Sequence, residues 1–297
     1  MYYKINAVRS FNPLSSNLSS NLDVSMFVED IYTSITPVQI KQNKNIKADI
    51  VGSQEDKVKA IKILESICSR EYYDNVVLES IAEIARIMAW EGCAVFEIIK
   101  ENEIELHGFT SRKLIKTPFF YVQVLPSEER KEYKKRYVFM PENKIWYLEM
   151  PKPLGPKNKY LQTLIKLKRY DHLSPSFVQR NLALGKIDEY YNYTDYNNEH
   201  NKYLRRATVY WGWNRRDYTQ KNNTEYYFFY KTLTFRWAQA LLREHIINEI
   251  NKLFVKLDMK CTINIGGIPN TKNILDIREE MSKGKISFLE AHRRTSF

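Results

Sequence analysis

The sequence is poor in the residues that break or staple a chain: 297 residues include only 9 Gly, 10 Pro and 3 Cys. So little Gly and Pro argues against a loop-dominated all-β protein and for long regular elements. Cys68, Cys93 and Cys261 form no C-x-x-C pair. An odd, sparse set suits a reducing compartment, and Cys68 and Cys93 sit among apolar residues as small hydrophobes. No run approaches the roughly 20 apolar residues that cross a bilayer. The opening MYYKINAVRSFNPLSSN has no apolar segment of the signal-peptide kind. Neither a membrane span nor a signal peptide is expected.

Catalytic motifs are equally scarce. His107, His172, His200, His245 and His292 are scattered singly, and none stands in HxxxH or HExxH spacing, which removes the usual zinc-hydrolase signature. GxxxxGK[ST], GxGxxG and GxSxG do not occur. Gly266-Gly267, before Ile268-Pro269, reads as a tight turn. The carboxylates mostly alternate with Lys or Arg on helical faces, the pattern of a solvated surface. The expectation is a protein that is not an enzyme, with no catalytic residue, metal or cofactor. A site assembled from residues distant in sequence stays open.

What is present is apolar, aromatic and basic. Hydrophobic residues make up 43%, enough for a globular core, and 21 Tyr dominate the aromatics. Tyr suits interfaces and base stacking, and it also follows from AT-rich codon usage. The net charge is +11, and it is unevenly placed. Residues 1–150 hold 20 Lys and Arg against 21 Asp and Glu, while residues 151–297 hold 26 against 14. A localised positive field attracts polyanions, nucleic acid first among them. Plain solubility charge is the other reading.

Along the chain, residues 1–22 read as a flexible Ser/Asn-rich arm, and 23–50 as short strand-like stretches broken at Pro37. Ser53 caps a helix to Ser69 with Val58, Ile61, Leu64, Ile67 and Cys68 on one face. A second helix, about Asp74–Trp90, carries Val77, Leu78, Ile81, Ile84, Ala85 and Met88 and is closed by Gly92. Ala94–Lys100 and Ile104–Gly108 form a hairpin, with further strands at Phe119–Leu125, Tyr137–Met140 and Ile145–Met150. Glu128–Arg136 reads as a charged turn or short exposed helix. A Pro/Gly loop at 151–156 marks a boundary. Helix Lys159–Tyr170 follows, with Tyr160, Leu161, Leu164 and Ile165 inward, then a helix from Ser174-Pro175 to Gly185. Residues 187–203 read as loop, and Ala207–Trp213 as a strand. The basic loop NRRDYTQKNN leads to Thr224 as N-cap. The longest helical pattern, 224–257, spans roughly 50 Å without Pro or Gly. Two helices bent near 232–234 are the alternative. Strand Cys261–Ile265, helix Thr271–Lys283 and a short helix behind an S-x-x-E box at Ser287 complete the chain.

Arg215, Arg216 and Lys221 sit beside Trp211, Trp213 and Tyr218, a mix able to hold phosphates and stack on bases. An exposed polar loop is the plainer reading. Lys157, Lys159, Lys166, Lys168 and Arg169 form a second basic cluster, read as a solvated helix face.

The order of segments resembles the tailed-phage portal family, the head-tail connectors. LESIAEIARIMAWEGCAVFEIIKENEIELHGF (78–109) is similar to the helix, small-residue turn and hairpin of the portal wing. ENKIWYLEMPKPLGPKNKYLQTLIKLKRY (142–170), extended by SPSFVQRNLALG, is similar to its strand, Gly/Pro turn and helix. YTQKNNTEYYFFYKTLTFRWAQALLREHIINEINKLF (218–254) looks like an Asn-bearing loop feeding a long helix that ends in an acidic-Ile-Asn-Lys-Leu step. IREEMSKGKISFLEA (277–291) resembles the helix, Gly and short helix that follow. Together they cover well over half the chain. The chain is short for a portal, so crown or clip must be reduced, and 187–203 has no counterpart.

The resemblance implies an α+β, portal-like fold: an N-terminal arm (1–22), an α/β wing-like region with β-hairpins (23–150), a reduced stem- or clip-like region with the basic loop (151–223), and a long stem/wing helix with an α/β tail (224–297). It implies a structural subunit of a ring, typically a dodecamer, at a capsid vertex, conducting double-stranded DNA during packaging and ejection. The implied partners are the major capsid protein, the terminase large subunit and the tail adaptor, without a membrane. The implied location is the virion, with the host cytoplasm during assembly. Arg215, Arg216 and Lys221 would then line the DNA channel, and Leu233, Trp237, Leu241, Ile246 and Ile250 the contact between subunits. The alternatives are a sequence-independent DNA-binding protein of a phage or mobile element, and a nuclease with a dispersed site.

Overall fold

A computed structural model describes residues 22–36, 46–68, 75–101, 103–111, 114–125, 127, 130–131, 134–171, 193–215 and 224–295. The N-terminal arm, Pro37, the helix expected after Ser174, and residues 216–223 of the basic loop lie outside them. So do Glu128, Glu129, Glu132 and Tyr133 of the charged run. The described chain is α+β with small antiparallel sheets and forms two compact units. The first holds Ile31–Pro151 and Leu242–Ile268; the second holds residues 22–30, Lys152–Leu241 and 269–295. Helices α1 (Leu22–Thr33) and α6 (Glu225–Lys256) each contribute to both.

In the first unit, β1 (Lys47–Gly52) precedes α2 (Gln54–Glu65). Ser53 Oγ caps α2 by accepting the Asp56 N–H at 3.2 Å. Asn75 Oδ1 caps α3 (Val76–Glu91), accepting from Val77 and Leu78 at 3.0 and 3.2 Å. Gly92, at φ +73°, ends α3 and donates to Met88 O at 2.8 Å. A side chain there would have to hold a left-handed conformation, which explains the glycine. The turn feeds β2 (Cys93–Lys100) directly, antiparallel between β3 (Ile104–Gly108) and β7 (Ile145–Glu149). A second sheet places β5 (Phe120–Val124) between β4 (Leu114–Lys116) and β6 (Tyr137–Pro141). β1 pairs with β8 (Cys261–Gly266). Cys93 and Val95 of β2 face Tyr121, Met140 and Ile145 in one cluster with Phe109. α3 packs on β2, and Ala94, Phe96 and Ile98, on the alternate register, are buried too. Ile81, Ile84 and Met88 of α3 are each worth roughly 1.5–3 kcal/mol on burial.

The second unit is helical: residues 22–30 of α1, α4 (Lys157–Asp171), α5 (Tyr193–Ala207), residues 225–241 of α6, α7 (Thr271–Ser282) and α8 (Phe288–Thr295). Its cores are aromatic. Phe27 meets Tyr160, Trp211 and Trp213 at centroid distances of 6.4, 5.6 and 5.2 Å. Leu233, Ile277, Met281 and Ala291 form another cluster, with Phe229 and Phe288 against it.

Several local expectations are corrected. Leu22–Thr33 is helix, not strand: Val24, Phe27, Val28 and Ile31 bury one 3-4 face. Residues 193–203 are not loop but the body of α5, where buried His200 and Leu204, one turn apart, supply the tertiary contact that Tyr- and Asn-rich sequence conceals. Ala207–Trp213 is not a strand; it is the end of α5 and a tight turn. On α2 the buried face is Ala60, Ile63 and Leu64, while Val58 and Ile61 are exposed. On α4, Ile165 is exposed and Leu167 buried with Tyr160 and Leu164. Strand β4 was not expected. The 224–257 pattern is one helix: the Thr232 and Thr234 hydroxyls donate back to Phe228 O and Tyr230 O at 3.1 and 2.9 Å, and the helix continues through them.

Candidate nucleic-acid interface

The positive charge is concentrated in the helical unit. Its residues 14–30, 152–241 and 269–297 hold 22 Lys and Arg against 14 Asp and Glu, a net +8 of the chain's +11. The segment entering the basic loop is tightly built. Trp211 N–H and Gly212 N–H both reach Thr208 O at 3.0 Å. Gly212 has φ +69°, and a Cβ there would lie 2.5 Å from Lys231 O on α6, so glycine is needed for both shape and contact. Trp211 and Trp213 are buried in the aromatic core, and Trp213 Nε1 donates to Asp30 Oδ2 at 2.8 Å. They are core residues and offer no stacking surface. Tyr210, at the turn's tip, is 78% exposed and does.

Arg215 precedes residues 216–223, which lie outside the described ones, and has φ +61°. Its Nε lies 2.7 Å from Oδ1 of fully buried Asp23, and its Nη1 2.9 Å from His200 Nδ1. His200 Nε2 lies 3.2 Å from Asp23 Oδ2. A guanidinium has only donors. His200 Nδ1 therefore accepts from the Arg215 guanidinium. The three groups form a closed charge arrangement that ties α1, α5 and the loop entrance together. Arg215 is thus an anchor whose charge is matched by Asp23. Arg216, Lys221 and Tyr218 lie outside the described residues. Asp23 and His200, 177 positions apart, were not singled out from sequence; an Asp inside the apolar stretch LDVSMFVEDI is the one signal that could have drawn attention.

Other cations surround the turn. Arg206 is exposed in the last turn of α5. Buried Lys231 lies over the Tyr227 ring at 4.9 Å; desolvation lowers its pKa, opposed by Tyr227 and reinforced by Arg205. Of the second basic cluster, Lys159 and Lys166 are exposed on α4, and the Arg169 side chain lies outside the described set.

Of the α6 residues expected at a subunit contact, Leu233, Ile246 and Ile250 are buried within the chain itself, whereas Trp237 and Leu241 are half-buried. Among the described residues, no group of three or more His, Cys, Asp or Glu is placed to hold a metal ion, and no helix is long and apolar enough to cross a membrane. A scan against protein-family models and a search of curated proteins found no match.

Proposed function

We propose that this chain is a portal-like ring subunit that conducts double-stranded DNA through a capsid vertex and docks the terminase, the capsid protein and the tail adaptor. The observation that carries the reading is α6: 32 residues in one uninterrupted helix, about 48 Å long, preceded directly by the basic loop. Its first 17 residues belong to the helical unit and its last 15 to the α/β unit. The α3–Gly92–β2–β3 succession and the collinear order of the four motifs support the same reading. In it the subunit binds DNA by charge alone, without catalysis, and resides in the virion.

The test is electron microscopy with sedimentation of the full chain. Rings of about twelve copies with a central hole wide enough for a duplex are expected. A chain that stays monomeric or dimeric, alone and with DNA, overturns the reading. The +8 unit favours a second reading, sequence-independent DNA binding without a ring. That reading predicts salt-sensitive duplex binding by small species, its log K falling linearly with log salt.

A further inference from the structure

One face of the β4-β5-β6 sheet is covered and the other is not. Leu114, Tyr121, Val138 and Met140 turn toward the core cluster that holds Cys93 and Val95. Strand alternation sends their neighbours to the opposite face. There Ile115, Val122 and Phe139 lie abreast across the three strands, Phe120 lies opposite Pro141, and Val124 lies opposite Tyr137. Phe139 is 61% exposed, Tyr137 42% and Phe120 37%. The Phe120 and Phe139 rings lie 5.8 Å apart, and the Arg136 guanidinium lies over the Tyr137 ring at 5.2 Å. Three exposed rings thus stand on two adjacent strands, with Ile115, Val122 and Val124 as the floor around them. This outward set includes no carboxylate.

The charge around the sheet runs against the rest of its half of the chain. Residues 112–144 hold 9 Lys and Arg against 4 Asp and Glu, whereas the remainder of residues 1–150 holds 11 against 17. Lys134, Lys135 and Arg136, all exposed, lead into β6 at the Tyr137 end of the face. Rings beside cations fit a polyanion that also presents flat π-faces. A duplex keeps its base faces stacked inside, so only an unpaired strand offers them. A lipid surface fits less well. At the opposite end of the sheet, exposed Glu142 donates its N–H to Phe119 O at 3.3 Å. A carboxylate is thereby set where an anionic headgroup layer would meet Phe119, the ring that is 79% exposed.

We propose that this face is a stacking platform for single-stranded DNA, separate from the basic loop of the helical unit. Phe120, Phe139 and Tyr137 each receive one base face, about three bases in all, while Lys134, Lys135 and Arg136 hold phosphates at one end. Stacking asks for no particular base, so the binding is independent of sequence. The strand is assigned as DNA because the outward set offers a 2′-hydroxyl only the Tyr137 phenol, and an apolar platform desolvates a hydroxyl without compensation. The site does not rest on ring formation or on duplex conduction. An unpaired strand held by a monomeric chain leaves it intact while the ring reading fails. Duplex binding that depends on Arg216 and Lys221, without binding of an unpaired strand, defeats this site alone.

The test is fluorescence anisotropy of the full chain with a labelled oligodeoxythymidylate, which does not pair with itself. Wild type is expected to bind it, with log K falling as log salt rises. Phe139→Ala and Tyr137→Ala are each expected to weaken binding about tenfold. Phe139→Leu is expected to weaken it nearly as much, and Phe139→Trp to bind as wild type does. Lys134→Ala, Lys135→Ala and Arg136→Ala together are expected to flatten the salt dependence. Binding of a hairpin duplex is expected to stay unchanged in the ring variants. No binding by wild type, undiminished binding by the Ala variants, or a Leu variant as good as Trp each overturns the proposal; the last would mean that apolar area alone is read, as a protein partner reads it. Tighter binding of oligouridylate overturns the assignment to DNA. Binding of phosphatidylserine vesicles that is lost with the same rings overturns it in favour of lipid. Should a variant fail to fold by circular dichroism, cross-linking of wild type to an oligonucleotide carrying 5-bromodeoxyuridine decides. Adducts are expected on Phe120, Tyr137 or Phe139, and adducts confined to other residues overturn the proposal.

Discussion

The two halves of α6 are held by different chemistry. Residues 225–241, in the helical unit, are gripped by rings. Phe229 stacks on Phe288 at 5.7 Å and meets His292 edge-on at 5.9 Å, Tyr226 contacts Tyr230 at 5.9 Å, and Arg278 lies over Tyr230 at 5.2 Å. Residues 242–256, in the α/β unit, bury Leu242, Ile246, Ile250, Leu253 and Phe254 fully. Their polar side chains reach main-chain groups: Arg243 to Ile35 O at 3.3 Å, His245 to Glu149 O at 2.9 Å, Asn251 to Ile263 N–H at 2.8 Å and Lys256 to Ile145 O at 3.2 Å. Rings tolerate partial exposure and irregular fit. Side-chain bonds to a strand's backbone fix its position. The first half is therefore held by area, and the second by area and by register.

The largest effect that tests this contrast comes from truncating one Phe in each half. Phe254→Ala removes a fully buried ring and is expected to destabilise the α/β unit by about 3–5 kcal/mol. Phe229→Ala removes a half-buried one and is expected to cost about 1–2 kcal/mol. Hydrogen exchange under increasing urea reads the two units separately. Equal losses would erase the distinction.

The next effect concerns how each unit anchors a polar group. Asp23→Ala leaves His200 without its carboxylate and Arg215 without its counter-charge. Removing one partner of a buried pair costs up to about 3–5 kcal/mol. Because Arg215 is part-exposed, about 2–3 kcal/mol is expected here, with faster exchange along α5 and at residues 208–215. Unchanged exchange there would show that Asp23 anchors nothing.

Much of the α/β unit was legible in the sequence because its signals are local. Ser53, Gly92 and Thr224 sit where helix ends demand them, and β2 and β3 follow from two apolar runs and a polar step. The positions that misled owe their state to distant residues. Val58 and Ile61 share helical spacing with buried Ile63 and Leu64, and the placement of α3, β3 and β1 against α2 decides which face is covered. α5 hides behind Tyr and Asn, since His200 is drawn inward by Asp23 on another helix. Arg215 read as a free cation because its carboxylate lies 192 positions earlier. The α6 stripe that suggested a contact between copies was a real 3-4 pattern, but periodicity marks a buried face without saying what buries it.

A smaller effect is expected from the neutral anchor of the α/β unit. Asn251 Oδ1 accepts the Ile263 N–H, and Nδ2 faces Ile263 O at 3.5 Å, so one amide serves both main-chain groups of a buried β8 residue. Asn251→Ala leaves that N–H without its acceptor, and about 1–2 kcal/mol is expected. Thermal unfolding gives the magnitude, and exchange of the Ile263 amide should accelerate more than that of Cys261. A uniform change along β8 would mean that Asn251 contributes packing alone.

The smallest expected effect is at Lys256, where the contrast reaches its limit. Its Nζ donates to Ile145 O, but the side chain is exposed, and desolvation lowers its pKa, so the charged form is mildly disfavoured in the folded state. Lys256→Met keeps the stem, loses the donor and removes that penalty. The two terms oppose each other, and a change within about 0.5 kcal/mol is expected at neutral pH. The sign with pH is fixed by linkage. A group whose pKa is lower when folded releases its proton first in the folded state, so wild type gains on the variant as pH rises toward the lysine range and loses that gain as pH falls back through the folded pKa. Paired urea titrations at neutral and alkaline pH would show this. A variant that gained on wild type with rising pH would mean that the bond to Ile145 O outweighs desolvation, and that even the exposed donors of α6 hold it against β7 by charge.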